Sequence, residues 1–212
     1  MIITHQSSCI NERGFPSSII CTRPLVPPWL PLRASSLEWR KNLSRNEKQR
    51  MDFKIQNKFL TLWKFREVRT VLVYCSKPLE VDTSIIIERA LSIGKTVAAP
   101  RCVPGTRDME FYIIKSCDDL EPGAFGVLEP NPEKCELLRD YTSSVCIVPA
   151  LMYDNSGYRL GYGKGYYDRF LSAYNGACIG LGYSSLIKDY LPHGKYDRKV
   201  DIIVTEKDNY FC

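Results

Sequence analysis

The chain has 212 residues, 44% hydrophobic and 25% charged, the proportions of a globular protein with one domain of about 180 residues plus an extension. A net charge of +5 with pI near 8.7 suits small anionic ligands but is too small and dispersed for a nucleic-acid surface. No apolar run reaches the roughly 18 residues of a membrane span, so no membrane association is expected.

Residues 1–32 stand apart. Prolines at 16, 24, 27, 28 and 31 and scattered serines leave no apolar periodicity, so this part is expected to be a disordered or atypical extension, with the domain proper at 33–212. Arg13 and Arg23 against the single acid Glu12 give it a faint transit-peptide composition without the Arg-rich amphipathic pattern. A transit segment and a mis-assigned start codon therefore stay open beside plain disorder. From about 34 to 65 the chain reads as helix. Ser44 with Glu47 is a capping box, and Met51, Ile55, Phe59 and Leu62 share a face. Residues 68–76 read as a strand, and Thr83 or Ser84 caps an Ile-rich helix that stops at Gly94. Strands are expected at 96–102, 109–115, 143–151, 177–183 and 200–205. Alternating strands and helices predict an α/β fold: a single domain with a mostly parallel sheet flanked by helices in three αβα layers, preceded by an N-terminal helix.

Nine cysteines, at 9, 21, 75, 102, 117, 135, 146, 178 and 212, include no Cys-x-x-Cys pair, and only His5 and His193 could join them in a zinc site. Reduced thiols in a cytoplasmic protein are expected.

Between the strand at 143–151 and a short helix with Tyr166, Tyr167, Phe170, Leu171 and Tyr174 at helical spacing, ending at Asn175-Gly176, lies Arg159-Leu160-Gly161-Tyr162-Gly163-Lys164-Gly165-Tyr166-Tyr167-Asp168. Glycines admit a ligand close to the backbone. Arg159, Lys164 and exposed N–H groups offer donors to phosphate. Asp168 is a hard oxygen ligand of the kind Mg²⁺ takes, and the tyrosines offer flat surfaces. Strand, glycine loop and helix put this segment where open α/β sheets bind ligands, so it is read as a site for a magnesium nucleotide beside a planar second substrate. It is not a Walker A loop, since Gly165 stands where a hydroxyl belongs. Nor is it an RNA-recognition strand, since Asp168 and Arg169 intrude on the aromatic pattern.

With Val148-Pro149-Ala150-Leu151, Asp154 and Gly157, this segment resembles the signature of the 5-formyltetrahydrofolate cyclo-ligase family. Tyr74 with Leu79-Glu80-Val81-Asp82-Thr83, Gly94-Lys95, Pro100, Met109 with Phe111, residues 126–130 and residues 196–201 fall in the family's order, over roughly 33 to 208. The resemblance implies conversion of 5-formyltetrahydrofolate and ATP, with Mg²⁺, to 5,10-methenyltetrahydrofolate, ADP and phosphate. It assigns ATP to Arg33, Arg159, Leu160, Gly161, Tyr162, Gly163, Lys164, Gly165, Tyr166 and Tyr167, with Lys164 and Arg159 as catalytic cations. Folate falls to Glu80, Tyr162, Gly163, Lys164, Gly165 and Tyr166, and the metal to Asp168 and Asp197. The expected partners are these two substrates alone, and the expected assembly is a monomer.

Each assignment has a plainer counterpart. Glu80 could cap the following helix, Asp197 could pair with Arg198 or Lys199, and Tyr166 or Tyr167 could be helix-face core. Asp154 reads as a turn former and His193 as a loop residue. One departure stands out: the family carries a lysine four positions before its first-helix arginine, matched by Arg33, but Trp29 occupies that place, leaving Lys41 or Arg40 to compensate. A non-catalytic folate- or nucleotide-binding relative is the alternative function, and an RNA-binding module is disfavoured by the modest charge.

Overall fold

A computed structural model describes residues 26–212, and most of the expected N-terminal extension lies outside the described residues. Helix α1 spans Trp29–Asn42, so helical structure begins before the expected residue 34. The prolines at 27, 28 and 31 are compatible with this start, because N–H groups of a first turn have no intrahelical acceptor to lose. The expected single helical stretch is three helices. α2, Arg45–Thr61, starts at Ser44, which accepts the Glu47 N–H while the Glu47 carboxylate returns to Ser44, the reciprocal cap read from sequence. Helix α3 is Trp63–Glu67.

Strand β1 (Thr70–Leu72) is shorter than expected. It leads through a long loop to α4 (Ser84–Ser92). Neither expected side chain caps α4 through its own hydroxyl. Thr83 Oγ1 instead donates to the Tyr74 carbonyl, and the helix start is held by Asp82 accepting from Ser84 N–H and by Gln56 Oε1 accepting from Ile85 N–H. Strands β2 (Thr96–Cys102) and β3 (Met109–Ile114) follow, then a small hairpin of β4 (Leu120–Pro122) and β5 (Leu128–Pro130), and the short β6 (Glu136–Leu137). Next come β7 (Ser144–Val148), β8 (Met152–Asp154), β9 (Arg159–Leu160) and helix α5 (Tyr166–Leu171). α5 ends before the expected Tyr174, which turns to hydrogen-bond Ser144 at 2.8 Å. Strands β10 (Ala177–Leu181), β11 (Ile187–Lys188), β12 (Ile202–Val204) and β13 (Asn209–Phe211) complete the fold.

The main sheet runs β13-β12-β10-β7-β1-β2-β3-β6. Its five inner strands, β12, β10, β7, β1 and β2, are parallel, while β13, β3 and β6 join antiparallel. Side chains alternate across it, as strand geometry requires. Val71, Val97, Val145, Ile147 and Ile179 pack with Ile55 and Phe59 of α2 and Ile86 of α4. Leu72, Ala98, Cys146, Val148 and Cys178 pack on the other face with Leu171, Tyr167 and Phe170 of α5. Because both faces are covered, these strands read as continuous apolar runs. The three layers and the mostly parallel sheet agree with expectation.

Candidate active site

Among the parallel strands the spatial order β2-β1-β7-β10-β12 reverses direction between β1 and β7, and open α/β sheets bind ligands outside the carboxyl ends at such a point. A cleft of about 690 Å³ lies there, floored by Tyr74 and Cys75 after β1, Pro100 and Cys102 at the end of β2, and Pro149 after β7. All the site residues expected from sequence line it.

The glycine loop between β9 and α5 forms one wall. Gly163, at φ +86°, holds left-handed backbone that favours glycine, and a Cβ there would stand 2.7 Å from the Arg33 guanidinium and push it aside. Arg33 Nε donates to the Gly161 carbonyl at 2.9 Å, so α1 clamps the loop. The buried Asp154 shapes the approach. Its Oδ1 accepts from the N–H groups of Ser156 and Tyr158, as a turn former should, and its Oδ2 accepts from Leu191 N–H. The second bond draws the segment bearing Asp197 toward the cleft. His193 of that segment stacks on Tyr158 at 3.6 Å.

Arg159 departs from a free phosphate donor. Its Nη2 pairs with Asp168 Oδ1 at 2.8 Å and its Nη1 donates to the Arg198 carbonyl. Asp168 Oδ1 also accepts from Arg198 N–H, so Arg159 fixes Asp168 beside the Asp197 segment. Asp197 forms no ion pair with Arg198 or Lys199 among the described residues; its Oδ2 accepts from Gly194 N–H at 2.7 Å. The Leu160 side chain is core, leaving only its backbone to the cleft. Lys164 Nζ lies 5.6 Å from the Phe125 ring centre, and Tyr166 OH donates to the Thr106 carbonyl.

Glu80 is buried at the edge of the cleft, and its carboxylate accepts from Lys77 N–H at 2.8 Å rather than capping α4. Burial, then the Glu80 charge, pushes the Tyr162 phenol up to about 12. Tyr167 is partly core and partly cleft, and its hydroxyl is buried without a hydrogen-bond partner. Burial pushes the Cys75 thiol up to about 12 and that of Cys102 to about 11, so neither presents a thiolate nucleophile near neutral pH.

Lys77, Phe125 and Glu129 also line the cleft, and the residue-level reading missed them as site residues. Phe125 sits at φ +57°, left-handed backbone that costs a non-glycine residue about 1 kcal/mol or more. That strain holds an exposed ring against Tyr166 at the cleft mouth. Glu129 is buried, and its Oε1 accepts from Cys102 N–H. The available signal was Gly126-to-Pro130 falling in the motif order; Lys77, in an aperiodic loop, gave none.

The sequence profile of the 5-formyltetrahydrofolate cyclo-ligase family matches residues 30–206. The chain belongs to the 5-formyltetrahydrofolate cyclo-ligase family. It is 31% identical over 159 residues to the probable 5-formyltetrahydrofolate cyclo-ligase of Schizosaccharomyces pombe, covering 66% of this chain and 76% of that one. The Mus musculus 5-formyltetrahydrofolate cyclo-ligase is 25% identical over 196 residues, covering 82% and 92%. The fold matches the Aquifex aeolicus 5,10-methenyltetrahydrofolate synthetase with a TM-score of 0.75 and 33% identity, covering 86% of this chain and 92% of that one. The family expected from the motif is thus the family found, and with it a ligase of folate metabolism.

Within this family's cleft the departure at Trp29 has a structural counterpart. Trp29 is half exposed and lines the cleft one turn before Arg33. Arg40 cannot compensate for a missing cation. It is buried, and its guanidinium donates to the carbonyls of Leu79, Ala150 and Leu151. Lys41 does not line the cleft either.

Asp168 and Asp197 fit a magnesium ion carried in by phosphates. Each carboxylate has one oxygen held by the fold and another free of described partners. No cluster of three or more ligating side chains occurs among the described residues. Two carboxylates, with waters and substrate phosphates completing the shell, are the usual protein share for Mg²⁺.

Proposed function

We propose that the chain catalyses the ATP- and Mg²⁺-dependent conversion of 5-formyltetrahydrofolate to 5,10-methenyltetrahydrofolate, releasing ADP and phosphate. The observation that carries this reading is one cleft lined by both the Arg33-clamped glycine loop and the buried carboxylate of Glu80. An N-formyl oxygen is a poor leaving group. Transfer of the γ-phosphoryl to that oxygen makes it a phosphate, N10 attacks the formyl carbon, and the phosphate departs as the ring closes. Such a reaction asks the protein for positioning and charge neutralisation rather than covalent chemistry, in keeping with the protonated thiols.

Glu80 accepts the N–H donors of the pterin. Arg33, Lys164 and the N–H groups of Gly161, Gly163 and Gly165 hold the triphosphate, with Lys164 on the γ-phosphoryl. Lys164 leaves the face of Phe125 to make that contact. Arg159 orients Asp168, and Asp168 and Asp197 hold Mg²⁺. When bound, Mg²⁺ supplies neutralisation of phosphate charge. Tyr162 and Tyr166 border the folate. The working form we propose is a cytoplasmic monomer acting on these two substrates, with no nucleic-acid or membrane partner. The described cysteines are all free.

The test mixes purified protein with 5-formyltetrahydrofolate and Mg-ATP and follows the near-ultraviolet band of methenyltetrahydrofolate. ATP-dependent growth of the band, reduced about 100-fold or more in Lys164→Ala, is expected. A flat trace from folded wild-type protein refutes catalysis and leaves a binding-only relative. Wild-type turnover in Lys164→Ala removes that lysine from the γ-phosphoryl.

A further inference from the structure

The cleft holds a second buried carboxylate that none of the roles above uses. Glu129 lies on β5, lines the cleft and is 5% exposed. Its Oε1 accepts from Cys102 N–H at 3.3 Å, which ties it to the end of β2, the strand beside β1. Its Oε2 has no hydrogen-bond partner among the described residues and keeps contact with the cleft rather than being sealed in the interior. Nor does Glu129 form an ion pair among the described residues. Glutamate is seldom buried so fully without a partner, because desolvating the charge costs more than one neutral hydrogen bond returns. The hairpin nevertheless makes room for it. Gly123 has extended backbone open to any residue, yet a Cβ on it would stand 2.5 Å from Oε2 of Glu129. Glycine at 123 therefore answers to the carboxylate and not to the turn.

We infer that Glu129 is a folate-binding residue, its free carboxylate oxygen accepting an N–H of 5-formyltetrahydrofolate that Glu80 does not reach. The inference rests on the folate site proposed above. The N–H donors of this substrate lie on more than one edge of the molecule, so a single carboxylate cannot take them all. A carboxylate with no cation beside it repels a polyphosphate, which leaves the folate as its partner. Its neighbours agree. The turn of the same hairpin sets Phe125 against Tyr166, with ring centres 6.0 Å apart, and Tyr166 borders the folate in the reading above. Partial burial first, then Cys102 and the Glu129 carboxylate, raise the phenol of Tyr166. A charge-assisted bond from a substrate N–H completes the shell of a carboxylate that the fold leaves half satisfied.

Glu129→Gln keeps the shape of the side chain and the bond from Cys102 N–H, and replaces the free oxygen by an NH₂ group that donates. Calorimetric titration with 5-formyltetrahydrofolate, together with steady-state kinetics, should show its Kd and KM rising about tenfold or more. Kd for ADP in Mg²⁺ should stay unchanged, and the melting temperature of the free protein should not fall. Gly123→Ala, which pushes the carboxylate aside, should weaken 5-formyltetrahydrofolate in the same direction and leave ADP alone. Wild-type folate affinity in Glu129→Gln overturns the inference. So does a loss confined to ADP, which gives the carboxylate to the amino group of adenine. A lower melting temperature with both affinities reduced also overturns it, because Glu129 is then an anchor of the hairpin. Wild-type protein that binds 5-formyltetrahydrofolate but forms no methenyltetrahydrofolate refutes the proposed reaction, and the comparison of folate affinities still decides Glu129. Wild-type protein that binds no 5-formyltetrahydrofolate overturns both.

Discussion

Tyr167 carries a hydroxyl that the fold buries and leaves without a partner, although buried polar groups nearly always have one. Burial first, then the nearby Cys146 and Glu80, holds its phenol well above the usual tyrosine range, so it is a donor at any working pH. The residue borders the cleft, but its hydroxyl is sealed from it, so the orphan is a cost carried by the fold. Tyr167→Phe removes the orphan while keeping the ring. The variant should be about 1 kcal/mol more stable than wild type in urea, with methenyltetrahydrofolate formation unchanged. A less stable variant would show that the hydroxyl contributes to the fold, and slower turnover would show that it reaches the substrates. At this scale the ten residues from Arg159 to Asp168 were legible because their glycines, cations and carboxylate serve a single kind of ligand. The split role of Arg159 was not legible, since its partner Arg198 lies 39 residues away. Lys77 was invisible for the same reason: only the folded loop brings it against Tyr162.

Elements whose signals are local came through. The reciprocal cap at Ser44 and Glu47 marked the start of α2, and the left-handed Gly94 stands just past the end of α4. Where an element ends by a contact from elsewhere, the reading slipped. The start of α4 is held by Gln56 of α2 and by Asp82, not by Thr83. α5 gives way before Tyr174, whose phenol is taken by Ser144, and the two-residue strands are too short to show periodicity. The Asp82 cap has a pH signature. Burial alone would raise its carboxyl, but the hydroxyl and N–H of Ser84 and the hydroxyl of Ser76 outweigh burial and hold it below the usual carboxylate range. With the folded value the lower one, Asp82 stabilises the protein fully above the ordinary aspartate pKa of about 3.9 and loses that contribution as pH falls through the folded value. Asp82→Asn should therefore lower the urea midpoint near pH 6 and converge on wild type below about pH 3. A constant difference across that range would show that the ionised carboxylate is not what holds α4.

The order of strands in the sheet lies beyond any local pattern, because β1 pairs with β2 on one side and with β7, 74 residues on by register, on the other. Alternation of strands and helices implies a mostly parallel sheet; it does not reveal that the direction reverses between β1 and β7, which is what opens the cleft. Nor does it reveal that α1 spans that opening. Two arginines seven positions apart divide the work of the helix. Arg40 anchors it, with three buried carbonyl bonds to the loops that follow β1 and β7 and its guanidinium 5.0 Å from the Tyr183 ring centre. Arg33 reaches forward to the glycine loop. Removing Arg40 takes the side-chain donor from the Leu79 and Ala150 carbonyls and leaves Leu151 with Ser36 Oγ alone, so Arg40→Ala should destabilise the whole protein by about 2–4 kcal/mol, read as a lower urea midpoint with an unchanged slope. Arg33→Ala breaks one part-exposed bond and should shift stability by no more than about 1 kcal/mol, yet raise the KM for ATP at least tenfold. If instead both variants lose stability equally and Arg33→Ala keeps its ATP affinity, α1 is a strut of the fold and not a jaw of the cleft. The opposite outcome, stability at one end of the helix and affinity at the other, follows from the geometry: a helix anchored to the sheet by its second half holds its first half over the ligand site without spending the rest of the molecule's stability to do so.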